Sequence, residues 1–360
     1  MTRPRPMVKK LIEWYGRHAR ALPWRTTTDP YAIWISEVML QQTQVQTVIA
    51  YWLRWMAALP TVRALAEAPP ERILKLWEGL GYYRRARNLQ QAAQVIEVSH
   101  SGSFPRTHQA ILALPGVGPY TAGAISSIAF DEPQPILDGN VIRVLTRSFG
   151  IKGQVRRSSV KARLWRLAGA LVEEAQRQPA NHCRPCATFN QSLMELGAVV
   201  CRPRDPACET CPLESACCAR RNGNIESLPN LGARPATQQR ECIAFVVAWR
   251  SRFLVQQRPA TAVNGDFWEF PNIDVTNQDL SVEEAAARCC GFQPRALAKF
   301  CTIDHSITRY RIRLHAYWVE ADDLMPNEGL HWRHRRDLEA LPFTSAHRKV
   351  LQTLLKKGPS

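Results

Sequence analysis

The stretch from residue 114 to residue 140 constrains the fold more than any other part of this 360-residue chain. Gly116 and Gly118 allow the backbone to turn sharply, and Pro119 suits the first position of a helix because it has no amide hydrogen to lose. The pattern predicts a short helix, a hairpin centred on Val117, and a second helix. Open N–H groups at such a helix start can bind phosphate, although a Gly-x-Gly turn can also be purely structural.

Asp138 comes after an apolar segment and twenty residues beyond Gly118, directly before a predicted helix that begins near Asn140. Aspartate is a common N-cap, so a plain capping role is one interpretation. A helix N-terminus also favours the ionised carboxylate. We therefore expect an anion at this position, and both roles can coexist.

Glu37 lies inside the segment Tyr31–Leu40, which is apolar around nearly its whole circumference and is predicted to be a buried helix. One interpretation is that Glu37 occupies a local polar gap and pairs with an arginine. The other is that burial disfavours its charged form and raises its pKa, so that it becomes a proton donor near neutral pH.

Two stretches with polar and basic side chains follow this helix. Gln41–Gln44 is either a polar helix end or a contact with base edges, since amides both donate and accept hydrogen bonds. Leu80–Arg87 combines arginines with two tyrosines after Gly81, which suits a phosphate grip with an aromatic wedge. Core packing explains the tyrosines nearly as well.

Four cysteines lie within seventeen residues and form the most specific motif: Cys201, Cys208, Cys211 and Cys217. Four thiolates are what a [4Fe–4S] centre requires, and a structural zinc site can use the same number. Cys218 is left spare by this spacing. Cys183 and Cys186 form only half of a metal site. One interpretation is a second metal that also uses Cys218 or His182; the one we favour is two unpaired thiols in an insertion.

The formal net charge of +16 suits a polyanionic partner better than a small neutral substrate. The sequence has no apolar run that predicts a signal peptide or a membrane span. Eleven cysteines in a chain of this length do not resemble a small secreted disulfide scaffold, so we expect a reducing compartment.

The composition changes near residue 226. Residues 226–240 are rich in proline, glycine and polar side chains and are predicted to be a linker. Beyond it, Cys242–Trp249 predicts a buried strand, Arg252–Arg258 a pairing strand and Tyr310–Tyr317 an alternating strand, with helices near 282–290 and 345–356. The predicted domains are therefore 1–225, helical, and 241–360, a compact α/β domain.

Taken together, these motifs resemble the adenine DNA glycosylases of the MutY type, within the helix-hairpin-helix superfamily of endonuclease III. The resemblance rests on residues 36–45, 79–83, 114–118 and 135–141 and on the cysteine spacing, in the family's order. It implies an all-α glycosylase domain whose loop 201–217 holds a [4Fe–4S] cluster, followed by a Nudix-like (MutT-like) α/β domain. It also implies a cytoplasmic, nucleoid-associated monomer that acts on duplex DNA, with no membrane partner.

The resemblance also assigns roles to individual residues. Glu37 would be the general acid and Asp138 the anion beside the deoxyribose, because cleavage of an N-glycosidic bond needs a protonated leaving base and a carboxylate facing the sugar cation. Tyr120 and Asn140 would complete the catalytic pocket. The pocket of the extruded adenine would use Arg20, Trp24, Arg25 and Gln191. DNA and lesion contacts would come from Gln42, Thr43, Leu80, Tyr82, Arg84, Gly116, Val117, Gly118, His305 and Thr308.

Position 120 separates two chemistries within the superfamily. Relatives that cut the strand through a Schiff base carry a lysine there, whereas this chain has Tyr120, so we expect a monofunctional glycosylase. In the second domain, the stretch 282–291 lacks the family's magnesium-binding carboxylates, so we expect lesion reading rather than pyrophosphate hydrolysis. The recognition loop there would be His305–Arg309, in which Thr308 replaces a serine and keeps its hydroxyl.

The function predicted from the sequence is removal of adenine mispaired with 8-oxoguanine or guanine in duplex DNA. Two alternatives remain at this point. One is an endonuclease III-like or mismatch thymine glycosylase, against which Tyr120 and the second domain argue. The other is a catalytically idle lesion-binding protein, against which Glu37 and Asp138 argue together.

Overall fold

The computed structural model describes residues 4–178, 184–233, 236–307, 309–324 and 329–357. Contacts divide the chain into two compact units. The first comprises residues 1–67 and 88–234, and the second comprises residues 68–87 and 235–360. The helical segment 68–87 thus groups with the C-terminal part of the chain. The predicted boundaries at 225 and 240 stay a prediction.

The described chain before the predicted linker is mainly helical, both in the first unit and in the segment 68–87 that belongs to the second. Helix α6 runs across the boundary between the two units, and α5 belongs to the second. A short 3₁₀ turn at Pro23–Arg25 follows the first helix. The helices up to the linker are α1 (Pro4–His18), α2 (Pro30–Leu40), α3 (Val45–Ala58), α4 (Val62–Glu67), α5 (Pro70–Trp77), α6 (Arg84–Ser99), α7 (His108–Leu112), α8 (Pro119–Phe130), α9 (Gly139–Phe149), α10 (Ser158–Gln176), α11 (Pro185–Val199) and α12 (Cys218–Arg221).

Local sequence sets where the helices around the predicted site begin. Asp29 caps α2 by accepting hydrogen bonds from two backbone N–H groups of its first turn. Pro119 opens α8 after Gly118, and Asp138 caps α9 by accepting from the N–H of Val141. The predicted helix–hairpin–helix and the predicted cap are therefore confirmed as local structure.

Helix α2 lies in the core of the first unit, where nine of its eleven residues are buried. It packs against α8 and α3, so the chain positions near Glu37 and near Tyr120 are brought together although they are far apart in sequence. The prediction that this helix is buried is confirmed. Burial of a helix on every side follows from its apolar circumference.

The second unit contains a mixed seven-stranded sheet with central order β3-β2-β1-β6-β5. Strands β1 and β6 are parallel, while β4 pairs with β1 and β7 with β2 in antiparallel fashion. The predicted strands and both predicted helices are confirmed. The elements are β1 (Gln238–Trp249), β2 (Arg252–Gln257), β3 (Trp268–Glu269), β4 (Asn272–Asp274), α13 (Val282–Cys290), β5 (Leu297–Ile307), β6 (Tyr310–Glu320), β7 (Leu330–His334), α14 (Arg335–Leu338) and α15 (Ser345–Lys357).

Residues 243–248 of strand β1 are buried on both faces, which explains the uninterrupted apolar run there. On one face Val246 packs in a cluster with Val350 and Leu354 of α15. On the other face Phe245 and Val247 pack with side chains of α13. Among the described residues, α15 and Leu338 of α14 thus cover one face of the sheet, and α13 covers the other. Among the residues described, the helices lack the length and apolar run that a bilayer crossing needs.

Candidate active site

Glu37 and Tyr120 form a direct pair in the interior of the first unit. The Tyr120 hydroxyl donates a hydrogen bond of 2.6 Å to Oε2 of Glu37 and lies 3.3 Å from the sulfur of Met194. Glu37 comes from α2 and Tyr120 from the first turn of α8, so the hairpin that opens α8 determines where the tyrosine ring lies. Glu37 is only 4% exposed.

Burial raises the pKa of Glu37 to about 7. The hydrogen bond from Tyr120 opposes this rise, the negative charge of Asp138 adds to it, and the positive charge of Arg25 opposes it. Glu37 is therefore close to half protonated at neutral pH, as a proton donor requires. The interpretation that it forms an ordinary salt bridge with arginine is wrong, because its hydrogen-bond partner is Tyr120.

Asp138 lies within electrostatic reach of Glu37, since the charge of each carboxylate enters the environment of the same tyrosine. One oxygen of Asp138 accepts from the Val141 N–H at 2.7 Å, and the other accepts from Nδ2 of Asn140 at 3.0 Å. The two carboxyl groups, Tyr120 and Asn140 therefore belong to one site. The helix start holds Asp138 in place through these bonds.

The helix start stabilises the Asp138 anion as expected, but it is only one of the effects on the pKa of this residue. Burial raises the pKa of Asp138, and this outweighs the hydrogen bonds from Val141 and Asn140 and the charge of Arg143, all of which lower it. The helix N-terminus lowers the pKa of this carboxyl group, but the loss of water around it raises the pKa by more. The direction of the shift is thus opposite to the expectation.

A chain of hydrogen bonds leads from Asp138 to the cysteine loop. Asn140 donates to Asp138 and accepts from Nη2 of Arg143 at 2.8 Å. The same guanidinium donates to the carbonyl of Gly197 at 2.7 Å and, through Nε, to the carbonyl of Cys201 at 2.6 Å. Arg143 is 8% exposed, so the guanidinium in the middle of this chain of bonds is largely shielded from water, whereas Asp138 and Asn140 are half-buried.

Glu195 is a site residue that the sequence argument missed. Its carboxylate is fully buried and accepts 2.7–2.8 Å hydrogen bonds from the guanidinium groups of Arg20 and Arg25. Burial alone would raise its pKa, but the two arginines lower it to about 2. The signal was present in the sequence, because Glu195 is the one acidic residue of α11, as Glu37 is of α2.

The other residues predicted for the adenine pocket lie around this ion cluster or in the core. Gln191 accepts a 3.1 Å hydrogen bond from the hydroxyl of Tyr15, and the Tyr15 ring lies under the Arg25 guanidinium at 5.3 Å. Trp24 is buried and meets Trp52 edge to face. The structure thus brings Arg20, Arg25 and Gln191 together and gives Trp24 a packing contact.

The hairpin before α8 has the geometry expected of it. Gly116 has φ +73°, and a Cβ there would lie within 2.5 Å of the Asn88 side chain, so both backbone and space require glycine. Val117 is buried, and Gly118 has extended backbone as the N-cap of α8. Phosphate binding by the N–H groups at this helix start stays a prediction.

Polar residues at the end of α2 lie next to this hairpin helix. Gln41 donates from Nε2 to the hydroxyl of Thr121 at 3.2 Å, which joins α2 to α8. Gln42 is exposed and has φ +59°, a strained conformation for a residue with a side chain. Thr43 is half-buried, and its hydroxyl donates to the carbonyl of Gln41 at 3.5 Å.

The four predicted cysteine ligands line one cavity in the first unit. None of the cysteines of the described residues forms a disulfide. The charges of Cys201, Cys208 and Cys217 all influence Cys211, whose pKa burial raises to about 12. In the described part of the chain, no three His, Cys, Asp or Glu side chains converge tightly enough to hold a single metal ion. The cavity is lined by these cysteines together with Val144, Arg147, Ser148, Leu196, Val200, Pro206, Leu213, Glu214, Arg220 and Ile225.

Arg147 connects the cysteine loop to α9. Its guanidinium donates to the sulfur of Cys201 at 3.4 Å and to the carbonyl of Arg202 at 2.7 Å. Its Nε donates to the carbonyl of Leu228 at 2.9 Å. Cys218, the spare thiol, faces Gly150 instead, where an added Cβ would lie 3.2 Å from the Cys218 Cβ.

Predicted DNA contacts in the second unit lie on two separate segments. Leu80 is buried, whereas Tyr82 is 48% exposed and Arg84 is exposed. His305 lies on β5, paired with Ile312 of β6, so the expected loop is a strand end at that point. Nδ1 of His305 is buried without a hydrogen-bond partner. Thr308 lies outside the described residues.

Comparison with protein families matches two parts of the chain. Residues 35–169 match the HhH-GPD superfamily of base excision DNA repair proteins. Residues 243–353 match the NUDIX domain. These two matches confirm the predicted fold class, a helical glycosylase-type domain followed by a Nudix-like domain.

Similar proteins extend over nearly the whole chain. An adenine DNA glycosylase of Schizosaccharomyces pombe is 33% identical over 402 residues, covering 92% of this chain and 85% of that protein. The adenine DNA glycosylase of Mus musculus is 44% identical over 402 residues, covering 95% of this chain and 76% of that protein. Among solved structures, a thermostable thymine-DNA glycosylase superposes with a TM-score of 0.53 at 30% identity, covering 61% of this chain and 97% of that one. An endonuclease III–DNA complex has a TM-score of 0.51 at 22% identity, covering 62% and 99%, which shows the fold.

Proposed function

We propose that this chain, which belongs to the family of adenine DNA glycosylases of base excision repair, removes adenine mispaired with 8-oxoguanine or guanine in duplex DNA. The observation that carries the proposal is the hydrogen bond from Tyr120 to the buried Glu37, with the charge of Asp138 acting on it. This arrangement supplies an acid and an anion in one site. Those are the two groups that hydrolysis of an N-glycosidic bond needs.

In the proposed reaction, Glu37 protonates the leaving adenine. A pKa of about 7 keeps a large protonated fraction at neutral pH. Tyr120 donates a hydrogen bond to the carboxylate that remains, so the ionised form left after proton transfer is stabilised. The site therefore accommodates both the protonated and the ionised form of Glu37.

Asp138 has the second role, as the anion beside the sugar cation that forms when the bond breaks. Hydrogen bonds from Val141 and Asn140 fix its carboxylate, and burial keeps the surrounding dielectric low. An anion in such surroundings stabilises a developing positive charge more strongly than it would in water. Burial raises the pKa of Asp138 and so favours its protonated form, whereas the developing sugar cation favours the ionised form.

Hydrolysis without strand scission follows from the residue at position 120. A tyrosine hydroxyl held by a carboxyl group offers no amine for a Schiff base with the sugar. Water then completes the reaction and leaves an abasic site. Arg20, Arg25 and Gln191, with the fully buried Glu195, are proposed to surround the extruded adenine.

Duplex DNA is the proposed partner, bound by a single copy of the chain. The N–H groups at the start of α8 and the net charge of +16 suit phosphate binding. Extruding a base costs a few kcal/mol, which an aromatic wedge at Tyr82 and the phosphate contacts would offset. We place the enzyme at the DNA of a reducing, cytoplasmic compartment, in keeping with cysteines that form no disulfide among the described residues.

A [4Fe–4S] cluster is the proposed cofactor of the cysteine loop. The residues present fit it, because four thiols border one cavity and Arg147 already donates to one of their sulfur atoms, that of Cys201. Cys201, Cys208, Cys211 and Cys217 would hold it. When bound, the cluster would supply a covalent brace for the loop and no step of the hydrolysis.

The test is a single-turnover assay on a duplex with one A:8-oxoG pair, beside duplexes with A:G, A:T and T:G pairs. We expect adenine release from the first two and strand breaks only after alkali. The Glu37→Gln variant should bind the duplex and release no adenine. Thymine release from T:G, or strand scission without alkali, would overturn the proposed substrate or the monofunctional reaction, and normal turnover by Glu37→Gln would remove Glu37 from the acid role.

A further inference from the structure

The turn before α6 has an unusual backbone. Gly79, Gly81 and Tyr82 all have positive φ, at 101°, 68° and 48°. The first and second are glycines, which adopt this region freely, but Tyr82 carries a large side chain, for which the left-handed conformation costs about 1–2 kcal/mol. Its ring is 48% exposed, so burial of the ring does not explain the strain. Other contacts must hold this conformation.

Arg85 provides those contacts from one turn further along the chain. Its Nη2 donates to the carbonyls of Leu80 at 3.1 Å and Gly81 at 3.0 Å. Its Nε lies 3.4 Å from the carbonyl of Tyr82. One side chain thus binds three successive carbonyls of the strained turn.

The guanidinium of Arg85 also lies between two aromatic rings. Its Cζ is 5.2 Å from the centre of the Trp77 ring and 5.6 Å from the centre of the Tyr82 ring. Trp77 is fully buried, and its Nε1 donates to the same Gly81 carbonyl at 3.1 Å. The buried indole therefore anchors the guanidinium, and the guanidinium in turn faces the exposed tyrosine ring.

The neighbouring arginines make different contacts. Arg84 is exposed. Arg87 pairs with Asp266 at 3.0 Å and donates to the carbonyl of Gly265. Of the three, Arg85 is the one whose guanidinium bonds to the turn that carries Tyr82. The sequence pattern predicts that these arginines bind phosphate together, and the family resemblance assigns a DNA contact to Arg84.

We propose that Arg85 is a positioning residue that fixes the Tyr82 ring in the direction needed to enter the base stack, an inference that rests on the proposed function. A flat guanidinium can bond to several carbonyls and stack on rings at the same time, whereas an ammonium cannot. Lysine at this position would keep the charge and lose the geometry. The ring would then be free to leave its orientation, and base extrusion would be less favourable.

The test is a double-mutant cycle on the full chain with Arg85→Lys and Tyr82→Ala. The readout is the dissociation constant for a duplex with one A:8-oxoG pair, measured in the Glu37→Gln background. The loss of the guanidinium's bonds to the turn and of its contact with the Tyr82 ring should weaken binding by Arg85→Lys about tenfold. In the Tyr82→Ala background the same change should have an effect of at most about twofold.

Two controls separate positioning from other roles. Arg63→Lys, at an exposed residue of α4 that pairs with Glu67, should leave binding unchanged. Loss of the bonds to the turn should lower the thermal midpoint of Arg85→Lys, but at the assay temperature its circular dichroism spectrum should equal that of Arg63→Lys, which separates orientation of the ring from loss of fold. Undiminished weakening in the Tyr82→Ala background, or full binding by Arg85→Lys, would overturn the inference. Failure of the unmodified chain to release adenine would overturn the proposed function instead, since the cycle measures binding alone.

Discussion

The hydroxyl of Tyr120 donates a hydrogen bond of 2.6 Å to Oε2 of Glu37, across 83 positions of sequence. This bond joins the helix after the hairpin to the one acidic residue of a buried helix. Any movement of the hairpin on DNA would therefore change the hydrogen bond that the proposed acid accepts. The predictions below begin from this pair.

Adenine release should slow as the pH rises above about 7. Only protonated Glu37 can donate, and burial raises its pKa to about 7. Well above that value, the protonated fraction falls about tenfold for each pH unit. Single-turnover rates between about pH 6 and about pH 9 would show this limb. A rate that stays constant up to the upper end would contradict the proposed role of Glu37.

The Tyr120→Phe variant should move this limb to higher pH. The hydrogen bond from Tyr120 stabilises ionised Glu37 and lowers its pKa, so its removal raises that pKa further. A hydrogen bond of about 1 kcal/mol corresponds to a shift of the limb by somewhat less than one pH unit. The measurement is the same pH series on this variant. A limb at unchanged or lower pH would show that the bond does not set the pKa of Glu37.

The Glu195→Gln variant should lower the free energy of unfolding at neutral pH by about 2–4 kcal/mol, because it leaves the charges of Arg20 and Arg25 without their buried partner. The pKa of Glu195 is lowered to about 2, so its contribution is present above the ordinary glutamate range and is lost as the pH falls toward 2. Denaturant unfolding checks this, with Glu173→Gln, an exposed side chain of α10 near Arg177, as the control. Equal stability of the two variants would contradict it.

Purified protein should contain about four iron and about four sulfide per chain. Cys217→Ser should lose most of both, because its thiol borders the cavity with the other three. The neighbouring Cys218→Ser should keep them, since that thiol lies against Gly150. Iron and sulfide analysis of the two variants makes the comparison. Zinc in place of iron, or equal loss in both variants, would contradict the proposed ligand set.

Much of the site could be predicted because its signals are local. An apolar circumference predicts that Glu37 is buried, and a turn followed by Pro119 predicts a helix start. Four cysteines within seventeen residues must lie near one another whatever the rest of the chain does. In each case the physical cause acts over one or two helical turns.

Other features could not be read from short-range patterns. The Glu195–Arg20–Arg25 cluster joins residues more than 160 positions apart. The choice of Arg85 over Arg84 depends on which side of α6 faces the strained turn. Strand β5 extends through His305, where a loop was expected, because its pairing with β6 continues to the hairpin.

The sequence by itself determined the helix–hairpin–helix, the buried acid, the capping aspartate and the cysteine loop, because spacing along the chain fixes these arrangements. Only the tertiary structure decided the electrostatics of the site. The pKa of Asp138 is raised although it caps a helix, and the pKa of Glu195 is lowered although it is buried. Both outcomes depend on how much water and which charges distant helices leave beside each carboxylate, and no local pattern encodes that balance.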